Sequence, residues 1–218
     1  VDDNSPDGTG ALADKLAAEF PAISVIHRPR KAGLGTAYVE GFSRALKDGA
    51  EIIFEMDADL SHDPADIPAF LEAARTADMV IGSRYKDGVR VLGWRFRRLF
   101  LSKMANIFVS HVMIYPRADD YSSGYRCYRR AVLEKIHLRS IISDGYAFQI
   151  EMAHLAHKLG FKVEEIPIIF RERIAGSSKI SPHVVREAFW LTLRYRAPFG
   201  DIVRLIGTVY KKYLYMGK

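Results

Sequence analysis

Two aspartates one residue apart, Asp57 and Asp59, close the apolar run Ile52-Ile53-Phe54-Glu55-Met56. Side chains two apart on an extended chain point to the same side, so the pair can present both carboxylates to one divalent cation. Bases stand in other candidate loops: Arg84 after Met79-Val80-Ile81-Gly82-Ser83, Arg126 after the polar stretch 119–125, and Arg173 and Lys179 in a glycine- and serine-bearing segment. Asp2 and Asp3 sit before a further turn. Acids alone suit a metal, whereas acids with guanidinium groups suit a metal together with phosphates, which arginine clamps bidentately. A nucleoside diphosphate bridged to the protein by Mg²⁺ or Mn²⁺ fits this set. The cation would neutralise charge developing on a departing diphosphate. A lone Asp-x-Asp is also the pattern of an idle acidic turn, so the elements around it must decide.

Residues 51–56 suit a buried strand, and Pro64 forbids its continuation. Leu12, Leu16 and Phe20 form an apolar stripe at helical spacing that Pro21 ends, and Ile23, Val25 and Ile26 predict a short strand. A basic loop with Gly33 and Gly35 leads into a helix marked by Phe42, Ala45 and Leu46. Ala65 to Ala77 predicts a helix with Ile67, Phe70, Leu71 and Ala74 inward, and Met79 to Arg84 another strand with a polar tip. Strand and helix alternate through this half, which predicts βαβ units and a mainly parallel sheet whose strand tips share one edge. Beyond it come a long helix from Trp94 to Ile114 with a basic start, a polar loop from Asp119 to Arg126, a helix from Tyr146 to Leu159, and a strand from Lys162 to Arg171. Pro167 places that last strand at an edge or a bend. Two amphipathic helices, His183 to Arg196 and Asp201 to Tyr215, complete the pattern.

Composition limits the classes. The 218 residues, 49% hydrophobic and 27% charged, are enough for one sizeable core. A single cysteine, Cys127, excludes an internal disulfide framework, and no zinc-type cysteine pairs occur. A net charge of +6 suits nucleic acid, an anionic membrane surface or a phosphorylated substrate. Carboxylates at strand tips argue against a nucleic-acid module, because they repel a phosphate backbone unless metal intervenes. No phosphate-binding Gly-x-x-x-x-Gly-Lys motif occurs, and Gly33-Leu34-Gly35 lacks the third glycine of a dinucleotide fingerprint. No apolar run is long enough to span a bilayer. The amino terminus reads as the end of a strand without its apolar beginning, so we expect a strand and a helix to precede residue 1.

Taken together, Val1 to Thr9, Gly33 to Ala37, Met56 to Pro64, Gly82 to Tyr85, Ser123 to Arg130, Gly145 to Met152 and Ser178 to Ser181 resemble the family-2 glycosyltransferases, specifically the dolichol-phosphate (polyprenol-phosphate) mannose synthases. The match runs in order over most of the chain. It implies an α/β GT-A fold for residues 1–182. The helices of 183–218 set arginines and lysines beside an apolar face, which suits either a membrane interface or packing on the domain. The match also implies GDP-mannose as donor, a polyprenyl phosphate as acceptor and inversion at the anomeric carbon. The resemblance assigns Asp2 and Asp3 to the nucleotide, and Asp57 and Asp59 to the metal and diphosphate. Arg84, Arg126, Arg173 and Lys179 fall to the acceptor phosphate and the charge of the reacting centre, and Ser123 and Gln149 to sugar or phosphate contacts. Ser61 stands where some relatives carry a glutamine in the metal shell. A base is not required, because the attacking phosphate oxygen is already ionised near neutral pH. The resemblance further implies a cytoplasmic enzyme, peripheral on a membrane face, with a small anchoring partner subunit as one means of attachment. Transfer of glucose from a UDP-sugar to undecaprenyl phosphate is the alternative within the class, and a sugar nucleotidyltransferase is the alternative outside it.

Overall fold

The computed structural model describes residues 1–112, 118–141, 143, 145–172, 191, 192 and 195. Its central sheet contains β1 (Ile52–Glu55), β2 (Met79–Ser83), β4 (Arg126–Arg129) and β5 (Val163–Pro167) in the order β1-β4-β2-β5. β5 runs parallel to β2, while β4 lies between β1 and β2 and runs antiparallel to both. Three of the four strands therefore share one direction, and one is reversed. That reversed strand was not visible in the sequence, which reads as polar loop up to Arg126. Four residues with an arginine at each end carry no strand signal, yet Cys127 and Tyr128 are fully buried.

Residues of β2 alternate between two apolar layers, as expected for a strand covered on both faces. Met79 and Ile81 join Phe42, Ile53, Tyr128 and Phe148 on the side of α2 (Leu34–Lys47), α5 (Arg130–Lys135) and α6 (Gly145–Lys158). Val80 joins Phe70, Tyr125, Cys127 and Ile168 on the side of α3 (Ile67–Ala73). Leu71, expected inward, is 41% exposed, because Phe70 and Ala74 already fill the stripe that meets the sheet. Pro167 ends β5 at the sheet edge. After two intervening residues, β6 (Phe170–Arg171) pairs in parallel with β3 (Val91–Leu92) in a separate small sheet.

α1 (Thr9–Glu19) forms where expected, but Leu12, Leu16 and Phe20 remain exposed, so its apolar stripe is not part of the described core. The strand expected at 23–26 reduces to one parallel bridge between Asp2 and His27. α4 (Phe96–Val112) matches the long basic helix. Of the expected helix 183–196, the described residues Leu191 and Thr192 are buried, and Tyr195 stacks on His154 of α6 with ring centroids 4.1 Å apart. The expected helix 201–215 lies outside the described residues, as do Arg173 and Lys179.

Candidate active site

The carboxyl end of β1 delivers Asp57 to a cleft also lined by His62, Arg84, Trp94, Arg98, Ser122, Ser123, Gly124, Tyr146 and Phe170. Past Asp57 the chain turns tightly, with Leu60 at φ 64°. Asp59 Oδ1 accepts hydrogen bonds from the Ser61 amide at 3.1 Å and the Ser61 hydroxyl at 2.5 Å, which orients that carboxylate. His62 holds the other end of the turn: the Asp57 amide donates to its Nδ1 at 3.1 Å. The His62 ring is buried, stacks on Tyr125 at 4.9 Å and meets Phe170 edge-on. Burial depresses its pKa, which preserves Nδ1 as an acceptor. Among the described residues, no three His, Cys, Asp or Glu side chains converge into a closed metal cage. Two carboxylates at an open strand tip suit instead a hard cation that takes its remaining oxygens from a diphosphate and water. Asp57 and Asp59 thus fit a nucleotide-borne Mg²⁺ or Mn²⁺.

One wall of the cleft is cationic, but its charges are already paired. Arg84 is buried and bonds Asp120 bidentately, Nε to Oδ2 at 2.6 Å and Nη2 to Oδ1 at 2.7 Å. Its Nη2 also donates to Ser122 Oγ at 2.7 Å. Burial by itself would raise the Asp120 pKa, yet the Arg84 charge and hydrogen bonds hold it below the usual carboxylate range. Trp94 lies between the two arginines of this wall, 5.2 Å from Arg84 and 4.0 Å from Arg98. Arg98 pairs with Glu172, while its buried Nε meets no acceptor among the described residues. Arg84 therefore lines the cleft as expected, but as half of a buried pair with Asp120. No local pattern signals that pairing across 36 positions. Arg98 was missed because it stands among several arginines on one helix start.

Arg126 does not reach the cleft, which corrects its expected role as a phosphate ligand. It is fully buried, and its donors are taken by the carbonyls of Ser123 at 2.8 Å, Gln149 at 2.7 Å and Tyr121 at 2.6 Å. Glu55 Oε1 lies 3.6 Å from its Nε and accepts from the Tyr128 hydroxyl at 3.1 Å. Burial pushes the Glu55 carboxyl up to about 7 against the opposing pull of Arg126, Tyr128 and Gln149. Arg126 thus ties the 121–124 loop and α6 to β1, two residues before Asp57. Ser123 and Gln149 are both almost fully buried, and Ser123 lines the cleft.

Asp2 and Asp3 diverge. The Asp2 carboxylate turns into its own loop, where Ser5 holds its pKa below the usual range, so its expected place on the nucleotide is not supported. Asp3 pairs with Arg28 at 2.7 Å, and Arg28 also bonds Thr36 at 2.9 Å. Arg28 and Thr36, with Arg30 and Glu40, border a separate pocket of about 280 Å³.

The family model described as Glycosyl transferase family 2 matches residues 1–137. The chain is 50% identical over 192 residues to the polyprenol monophosphomannose synthase of Mycolicibacterium smegmatis, covering 87% of this chain and 72% of that protein. It is 45% identical over 188 residues to the undecaprenyl-phosphate mannosyltransferase of Micrococcus luteus, covering 86% and 77%. Among solved structures it is similar to glucosyl-3-phosphoglycerate synthase from Mycobacterium tuberculosis in complex with Mn²⁺, UDP-glucose and phosphoglyceric acid. There the TM-score is 0.64 at 16% identity, over 88% of this chain and 65% of that one, a likeness of fold.

Proposed function

This chain belongs to the family 2 glycosyltransferases, and from that premise we propose that it transfers mannose from GDP-mannose to a polyprenyl phosphate. The carrying observation is a cleft with an aspartate-bearing strand tip on one side and Arg84 and Arg98 on the other, in a chain half identical to a polyprenol monophosphomannose synthase. An oxygen of the acceptor phosphate attacks the anomeric carbon from the face opposite the leaving group. The bond from that carbon to the diphosphate breaks, and its electron pair leaves with GDP, so the configuration inverts.

A divalent cation bound here would supply charge neutralisation for the departing diphosphate. Asp57 and Asp59 would hold it, with Ser61 fixing the Asp59 carboxylate. Arg98, which lines the cleft, meets the acceptor phosphate, and Asp120 holds Arg84 rigid beside it. This brings two polyanions together by alignment and screening, without a general base. Arg173 and Lys179 act from the adjoining segment, and Asp3 with Arg28 borders the nucleotide end. Among the described residues no helix is long and apolar enough to cross a membrane. We assign the protein to the cytoplasmic face of a membrane, held by its basic segments or by a small anchoring subunit, where it meets its lipid acceptor.

The test incubates full-length protein with labelled GDP-mannose or UDP-glucose, polyprenyl phosphate and Mg²⁺ or Mn²⁺, and counts lipid-extractable label. The reading requires label from GDP-mannose and its loss on chelation. Label only from UDP-glucose would reassign the donor, and label from neither would refute transfer.

A further inference from the structure

We propose that Tyr38, Asp57 and Gln149 hold the hydroxyl groups of the donor hexose in the space left open by Gly124, so that Gly124 sets which sugars fit. This rests on the donor being a sugar nucleotide, as above, and assigns Tyr38 and Gly124 to the reaction.

Gly124 lines the cleft, and it is not among the glycines with left-handed backbone, so its conformation does not demand glycine. What it leaves is room. A Cβ at Gly124 would lie 3.7 Å from Asp57 Oδ1, 3.8 Å from the Tyr38 hydroxyl and 3.9 Å from Gln149 Nε2. These three polar atoms come from the β1 tip, α2 and α6, and all lie within 4 Å of this position. The distances are ordinary van der Waals contacts, so a methyl group fills the space without displacing its neighbours.

The chemistry of the space selects a neutral polyol. Tyr38 packs against Phe148 and Phe42, which fixes its ring with the hydroxyl beside this position. Gln149 is 3% exposed, and its Oε1 has no hydrogen-bond partner among the described residues. A carboxylate acceptor, a phenol and an amide with a donor and an acceptor match a hydroxyl group, which both donates and accepts. The arginines, which suit a phosphate, stand on the other wall.

The test measures binding of GDP-mannose and of GDP, each with Mg²⁺, to full-length wild type, Gly124→Ala and Tyr38→Phe, with melting temperatures taken without ligand. Both variants should keep the wild-type melting temperature and bind GDP within roughly twofold, yet lose about tenfold in GDP-mannose affinity, as sites built to bond a hydroxyl do when the match is spoiled. Wild-type affinity for GDP-mannose in both variants, or equal losses for GDP and GDP-mannose, overturns the subsite while leaving the donor assignment standing. If Gly124→Ala melts early, Tyr38→Phe decides by the same comparison, since it removes one oxygen atom. Failure of the wild type to bind either GDP-mannose or UDP-glucose overturns the donor reading and the subsite with it.

Discussion

The layer beneath the cleft, here called its floor, and the cationic wall that lines it each contain a buried arginine beside a carboxylate, and the two serve different ends. On the floor, Arg126 spends its donors on three backbone carbonyls and stands next to Glu55, with none of its surface exposed. On the wall, Arg84 meets Asp120 in a bidentate pair, lines the cleft and stacks near Trp94, beside Arg98. Residue type and motif did not distinguish them: Gly82-Ser83-Arg84-Tyr85 and Ser123-Gly124-Tyr125-Arg126 look equally suited to a phosphate. Their hydrogen-bond partners do. A guanidinium committed to carbonyls fixes geometry, and one held flat by a carboxylate at a cleft edge presents a positioned charge.

Replacing the floor arginine should cost the most. Arg126→Met leaves Glu55 buried beside no cation and three carbonyls without donors, so unfolding free energy should fall by about 3–5 kcal/mol in urea titration. A fall under about 1 kcal/mol would erase the distinction between floor and wall. At the strand tip the effect should appear in rate rather than stability: Asp59→Ala should lower mannosyl transfer about 10²–10³-fold, with the denaturation midpoint nearly unchanged. Full transfer by that variant would remove the aspartate pair from the mechanism. On the wall, Arg84→Lys keeps the charge but breaks the fork with Asp120, and should destabilise by about 1–3 kcal/mol. The same measurement that reads Arg126→Met ranks the two.

The smallest effect concerns pH. His154, on α6 behind the floor, has its pKa lowered to about 4 by burial, with help from Lys158 and His157. Its folded-state pKa lies below the unfolded one, so its contribution is complete above about pH 6.5 and is lost as pH falls toward 4. His154→Phe should flatten this acid-side loss by about 2 kcal/mol when stability is compared with the wild type at pH 7 and pH 4.5. Parallel pH profiles would show that His154 is not held neutral by the fold.

What the sequence revealed follows from what local pattern can carry. Helices α1, α2, α4 and α6 and strands β1, β2 and β5 are legible because apolar spacing and proline act locally. The Asp57 and Asp59 tip is legible for the same reason. β4 is not, since four residues bounded by arginines look polar until Glu55, Tyr121, Ser123 and Gln149 gather around Arg126. The pairing of Arg84 with Asp120 and the convergence of Tyr38, Asp57 and Gln149 on Gly124 join distant positions, and no local spacing encodes them. Asp2 and Asp3 look alike in sequence, yet one carboxylate caps its own loop and the other pairs with Arg28.

The division of labour across the cleft is tested most directly by initial velocities of Arg98→Ala with donor and acceptor varied in turn. The account predicts a KM for polyprenyl phosphate raised about tenfold or more, with the KM for GDP-mannose unchanged. A raised donor KM with a wild-type acceptor KM would contradict it.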